Sequence, residues 1–130
     1  LGNFLALTER EPSTALAQLA GDVVVEFDKF RAPLTEKEIA RRLKSNLSRQ
    51  QEHMMHCWGY PYVLDEFRFH LTLSDKLQAD ELQRIKAILQ SHTSHLTRTP
   101  VGVDDVGLVG EAGDGRFHLI RRLPLAAVKS

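Results

Sequence analysis

The segment Glu66-Phe67-Arg68-Phe69-His70-Leu71-Thr72-Leu73 alternates polar and apolar residues without a break. Alternation at period two marks a half-buried β-strand, because successive side chains on a strand point to opposite faces. Phe67, Phe69, Leu71 and Leu73 form a row suited to a core. Glu66, Arg68, His70 and Thr72 form a polar row whose members are roughly 6–7 Å apart at two-residue strand rise. That row brings together a cation, an imidazole, a hydroxyl and a carboxylate. These types serve a phosphate ester as charge partner, proton-transfer group and hydroxyl donor. The competing reading is an ordinary solvated face, which antiparallel strands commonly have.

The chain has 130 residues, 42% hydrophobic and 26% charged, which suits one globular α+β domain over residues 1–130. The formal net charge of +0 offers no broad basic face for nucleic acid. A single cysteine, Cys57, leaves no internal disulfide. No apolar run approaches the ~20 residues that span a bilayer, and no basic stretch leads into an apolar one at the start. A cytoplasmic protein with no membrane partner is expected. The chain opens at Leu1-Gly2-Asn3-Phe4 without an initiator Met and directly in strand-like sequence. It is therefore expected to be the C-terminal lobe of a longer protein.

Phe4 to Leu7 reads as a short strand. Ser13 is placed to cap a helix whose apolar stripe runs through Leu16, Leu19, Ala20, Val23, Val24, Phe27 and Phe30. Pro33 breaks the chain. Thr35 and Glu38 form a capping box for a helix to about Leu43, and Ser48 opens another that carries Met54, Met55 and Trp58 on one side. Gly59 is the natural C-terminal residue after it. These two helices, at about 35–59, read as an insertion. The strand from Glu66 to Leu73 follows, then a helix from about Ala79 to Leu96. A strand over Val101 to Val109, a turn at Glu111-Ala112-Gly113-Asp114-Gly115 and a strand over Phe117 to Leu123 complete the order. The expected fold is α+β, a mainly antiparallel sheet with helices on one face.

Within the strand, Phe69-His70-Leu71-Thr72-Leu73 resembles the His-x-Thr motif of the two-histidine (2H, LigT-like) phosphoesterases. Four longer stretches are similar to one branch of that superfamily: Phe30-Arg31-Ala32-Pro33-Leu34-Thr35-Glu36, Trp58-Gly59-Tyr60-Pro61-Tyr62-Val63, Phe67 to Leu73, and Phe117 to Leu125. The branch comprises bacterial phosphonate metabolism proteins, catalogued as a domain of unknown function. The resemblance implies two similar α+β lobes facing a cleft, each with one His-x-Thr/Ser strand. One histidine acts as general base and the other as general acid on a phosphodiester or cyclic phosphate, without a metal or other cofactor. The hydroxyls hold phosphate oxygens. Carried over, His70 is the acid/base residue and Thr72 the phosphate ligand. Arg68, on the same face, is added from the strand argument as a charge partner, and Tyr60 and Tyr62 as residues that stack on a base or sugar or pack their loop.

Only one His-x-Thr falls on a strand. His92-Thr93-Ser94 and His95-Leu96-Thr97 match in letters but lie at a helix end, where residues two apart do not share a face. The second motif is expected from a missing N-terminal lobe or a second chain. The rival reading is a metal site from His53, His56 and Cys57 on one helix and His92 and His95 on another. Against it, Met54, Met55 and Trp58 mark a buried helix side, leaving His53 and His56 at its polar edge. His92 lines up with Ile85, Leu89 and Leu96 as a partly buried histidine. No metal ligands are therefore assigned. A third reading is a non-catalytic nucleotide- or phosphate-binding module, which would use Arg68 and Thr72 but no proton transfer.

Overall fold

The computed structural model describes residues 2–126. It is α+β: β1 (Ala6–Thr8), α1 (Thr14–Phe27), α2 (Glu36–Leu43), α3 (Arg49–Trp58), β2 (His70–Thr72), α4 (Ala79–Thr93), β3 (Asp105–Glu111) and β4 (Phe117–Pro124). Strand pairing is antiparallel in two separate ladders, β1 with β2 and β3 with β4. The chain divides into two compact units, Leu1–Lys86 and Ala87–Ser130.

Local chemistry sets the helix boundaries of the first unit. Ser13 Oγ accepts the Leu16 N–H at 3.2 Å and starts α1. Thr35 and Glu38 close a reciprocal capping box on α2, and Ser48 and Gln51 do the same on α3. Gly59 ends α3 at φ 76, a left-handed conformation that costs an L-residue energy and glycine little. The Gly59 N–H then donates to the Met55 carbonyl at 2.9 Å.

The core of this unit is small. Met54 and Met55 on α3 are buried, Met55 with 0% exposure, and Val63 joins them from the following loop. α1 packs on the 3-10 turn at Leu64–Glu66, and a Cβ at Gly21 would lie 3.4 Å from Leu64 Cδ2, an ordinary contact. The expected α1 stripe is half-buried at Leu16, Leu19, Ala20 and Val24 but exposed at Val23 and at its end. The helix gives way to a 3-10 turn at Asp28–Phe30, which rotates Phe30 off the helical stripe; Phe27 and Phe30 meet each other at 6.1 Å, and Phe30 is 74% exposed.

The strand expected over Glu66 to Leu73 is much shorter than the alternation implied. Leu64 at φ 53 turns the chain, and Glu66 lies in the 3-10 turn with its carboxylate accepting from Gln51 Nε2 at 2.9 Å. The partner strand is only Ala6–Thr8, so ladder pairing covers His70–Thr72 alone, in the register Thr8–His70, Leu7–Leu71 and Ala6–Thr72. Phe67 and Phe69 are half-buried, whereas Leu71 is 53% exposed, because the two-stranded ladder carries its apolar row past the core.

In the second unit, β3 and β4 form a hairpin with an irregularity between Leu108 and Val109. The Asp-Gly turn is as expected: Gly115 takes φ 80, its N–H reaches the Ala112 carbonyl at 2.9 Å, and Asp114 Oδ1 accepts from the Arg116 N–H. Arg122 pairs with Asp105 across the ladder at 2.7 Å. The first strand starts at Asp105 rather than Val101. α4 stops at Thr93, short of Leu96, as the Ser91 and Thr93 hydroxyls donate to helix carbonyls. His92 is exposed rather than partly buried.

Candidate functional site

His70 and Thr72 are two apart on β2, so both side chains project from one face. Their cross-strand partners on that face are Thr8 and Ala6. The next residue of β1's row is Phe4, whose ring lies 6.0 Å from the imidazole at an interplanar angle of 47°. Phe4 and Thr72 also line a shallow cleft, largely open to solvent, with Ser74, Asp75 and Lys76.

The imidazole is oriented. His70 Nδ1 lies 2.7 Å from the Arg68 carbonyl oxygen. A carbonyl only accepts, so the hydrogen bond places a proton on Nδ1. The neutral ring therefore offers Nε2 as its proton acceptor, and the protonated ring offers Nε2–H as a donor. A histidine fixed through one nitrogen and exposed at the other is suited to acid–base chemistry.

The Arg68 side chain is turned elsewhere. Its guanidinium donates to the Asp65 carbonyl at 3.1 Å and to the Phe67 carbonyl, bracing the turn that precedes β2. The four-residue polar row of the sequence thus resolves into His70 and Thr72 on the ladder, Arg68 folded against its own backbone, and Glu66 bonded to α3. Tyr60 and Tyr62 meet edge to face at 5.7 Å, and the Arg42 guanidinium covers Tyr60 at 4.8 Å from the ring centroid. Arg42 Nε is buried without a hydrogen-bond partner, so the cation–π contact is its main compensation. No hydrogen bond or ring contact joins this aromatic pair to His70 or Thr72.

On α3, Cys57 Sγ is 3.6 Å from His53 Nε2, a contact of residues one turn apart. Among the described residues of the first unit, no three His, Cys, Asp or Glu side chains converge as metal ligands would. Among the described residues, no helix is long and apolar enough to cross a membrane. Lys76 and Asp75 were missed by pattern reading, since they follow the strand on a loop without periodicity. Their proximity to Thr72, four and three residues on, is the signal that points to them.

Comparison with known proteins adds a family and two relatives. A family described as "Protein of unknown function (DUF1045)" matches residues 1–118. The chain is 35% identical over 131 aligned positions to the "Ribose 1,5-bisphosphate phosphokinase PhnN" of Janthinobacterium sp. (strain Marseille), covering 97% of this chain and 29% of that protein. It is 28% identical to the protein of the same name from Laribacter hongkongensis (strain HLHK9), covering 93% of this chain and 28% of that one. The chain thus spans less than a third of the length of either relative. No solved structure matches it.

Proposed function

The chain belongs to the DUF1045 family, and on that premise we propose that it supplies one half of a two-histidine phosphoesterase site. The reaction is hydrolysis of a phosphodiester or cyclic phosphate by metal-independent acid–base catalysis. The observation that carries this reading is the hydrogen bond from His70 Nδ1 to the Arg68 carbonyl, which leaves Nε2 to exchange a proton on the strand face that His70 shares with Thr72. His70 Nε2 takes a proton from the attacking oxygen or gives one to the leaving oxygen. Thr72 donates to a non-bridging phosphate oxygen. Arg68 positions the imidazole through its carbonyl, and its guanidinium reaches the phosphate only by releasing the two turn carbonyls. Tyr60 and Tyr62, paired with each other and covered by Arg42, pack their loop and reach a base or sugar only if the substrate extends to them.

The acid and base of such a reaction act on opposite sides of phosphorus, so a second histidine is required. We assign it to a preceding lobe of the intact protein or to a second chain, with residues 1–130 as one α+β lobe and α2 and α3 as its insertion. Both relatives bear a name concerned with a ribose bisphosphate and ending in PhnN, which favours a sugar phosphate as substrate and a phosphonate-related role; we place that role in the cytoplasm. The presence of a single His-x-Thr strand favours one further reading, a module that binds phosphate esters without turnover. Hydrolysis of 2′,3′-cyclic nucleotides and ribose cyclic phosphates by the intact protein, with and without chelator, separates them. Chelator-resistant turnover that disappears in His70→Ala supports the esterase. Binding without turnover supports the module, and turnover abolished by chelator defeats both.

A further inference from the structure

The loop that borders the shallow cleft beside Thr72 is fixed at both ends. The Leu73 N–H donates to the Leu5 carbonyl at 2.8 Å, and the Leu77 N–H donates to the Asn3 carbonyl at 2.7 Å. Between them, Ser74 Oγ accepts the Leu5 N–H at 3.0 Å and donates to the Asp75 carbonyl at 2.8 Å. Asp75 and Lys76 are thereby held at the cleft on a short, stapled segment. Both line it with Phe4, Thr72 and Ser74. Among the described residues, neither side chain makes an ion pair; the ion pairs join Asp28 to Arg31, Asp114 to Arg116, and Asp105 to Arg122. One ammonium and one carboxylate, neither ion-paired among the described residues, therefore border the depression next to Thr72.

We infer that this cleft selects phosphate groups by charge, with Lys76 pairing one phosphoryl charge and Asp75 repelling a second. The inference rests on the reading of Thr72 as a phosphate ligand. A phosphodiester carries one negative charge and is matched by Lys76 alone. A phosphomonoester, whose second ionisation falls near pH ~6, carries two charges at pH 8 and sets the second against Asp75. Hydrolysis of a cyclic diester changes the ligand from the first kind to the second. The water oxygen bonds to phosphorus as one ester P–O bond breaks. One water proton goes to the leaving alkoxide, and the other is released when the new phosphate hydroxyl ionises. The charge pair thus favours substrate and expels product. Phe4 adds an apolar wall for the carbons of the ester.

The test is equilibrium binding at pH 8 to the intact protein carrying His70→Ala, which keeps the diester uncleaved. The probes are 2′,3′-cyclic AMP and adenosine 3′-monophosphate, which share base and sugar. The diester is expected to bind at least about tenfold more tightly, a difference of about 1.4 kcal/mol. Adding Asp75→Asn is expected to tighten the monoester about tenfold with little change for the diester. Adding Lys76→Gln weakens both about tenfold. Both substitutions preserve side-chain size at exposed positions, and far-UV circular dichroism checks that the fold is kept. If Asp75→Asn leaves the ratio unchanged, or the monoester binds as well as the diester, the charge selection is wrong. If Thr72→Val abolishes diester binding while the Lys76 and Asp75 changes do nothing, the charge selection falls and the Thr72 reading stands. If Thr72→Val has no effect, the underlying site reading falls with it.

Discussion

Alanine placed at two glycines of the first unit is expected to act with opposite sign. Gly21 lies inside α1, and a Cβ there would be 3.4 Å from Leu64 Cδ2, an ordinary contact. Gly21→Ala then removes glycine's helix penalty of roughly 0.5–1 kcal/mol and adds a methyl against Leu64. Gly59 has φ 76, where an L-residue costs about 1–2 kcal/mol. A Cβ at Gly59 would also lie 2.8 Å from Arg31 Cδ, so the arginine must move. Arg31 bonds Asp28 at 2.7 Å and the Cys57 carbonyl at 3.1 Å, half-exposed contacts whose loss adds roughly 0.5–1 kcal/mol. Gly59→Ala should therefore destabilise by about 2 kcal/mol, and Gly21→Ala should stabilise by about 1 kcal/mol. Trp58, the one tryptophan, adjoins Gly59 and reports unfolding by fluorescence. With a urea m-value of about 2 kcal/mol/M, the midpoints move about 0.5 M up for Gly21→Ala and about 1 M down for Gly59→Ala. Midpoints that move in the same direction would refute the assigned backbone conformations.

Three further outcomes follow from the same geometry. Thr35→Ala removes an N-cap and should cost about 1 kcal/mol in urea unfolding at pH 7. The Glu38 carboxyl is held below its ordinary value of 4.5, first by the Thr35 backbone N–H and then by the Thr35 hydroxyl. A lowered folded pKa stabilises above 4.5 and loses that contribution as pH falls through it, so the gap between the natural chain and Thr35→Ala should narrow in acid. Arg68→Ala frees the Asp65 and Phe67 carbonyls and should lower stability by roughly 0.5–1.5 kcal/mol while reducing turnover less than tenfold; a hundredfold loss of turnover would place the guanidinium on the phosphate instead.

What was legible in the sequence was local. Ser13, Thr35, Ser48 and Gly59 mark helix ends correctly because a cap is a bond between residues two to four apart. The buried side of α3 was equally legible, since Met54, Met55 and Trp58 share a helical face. The length of β2 was not, because a strand needs a partner and β1 supplies only Ala6–Thr8. Alternation told which residues share a face without telling how far the face extends. Arg68 shows the same limit: parity put it beside His70, but a long side chain chose the nearby carbonyls. Lys76 and Asp75 become visible only once the loop after β2 is folded back against Asn3 and Leu5.

The most direct test of proton transfer by His70 is kcat and Kd for a 2′,3′-cyclic phosphate in the intact protein and in His70→Ala. A positioned acid or base is worth about 10²–10⁴-fold, so kcat should fall by at least about a hundredfold while Kd stays within about threefold. An unchanged kcat in His70→Ala would contradict the account, because the imidazole fixed by the Arg68 carbonyl would then have no part in the chemistry.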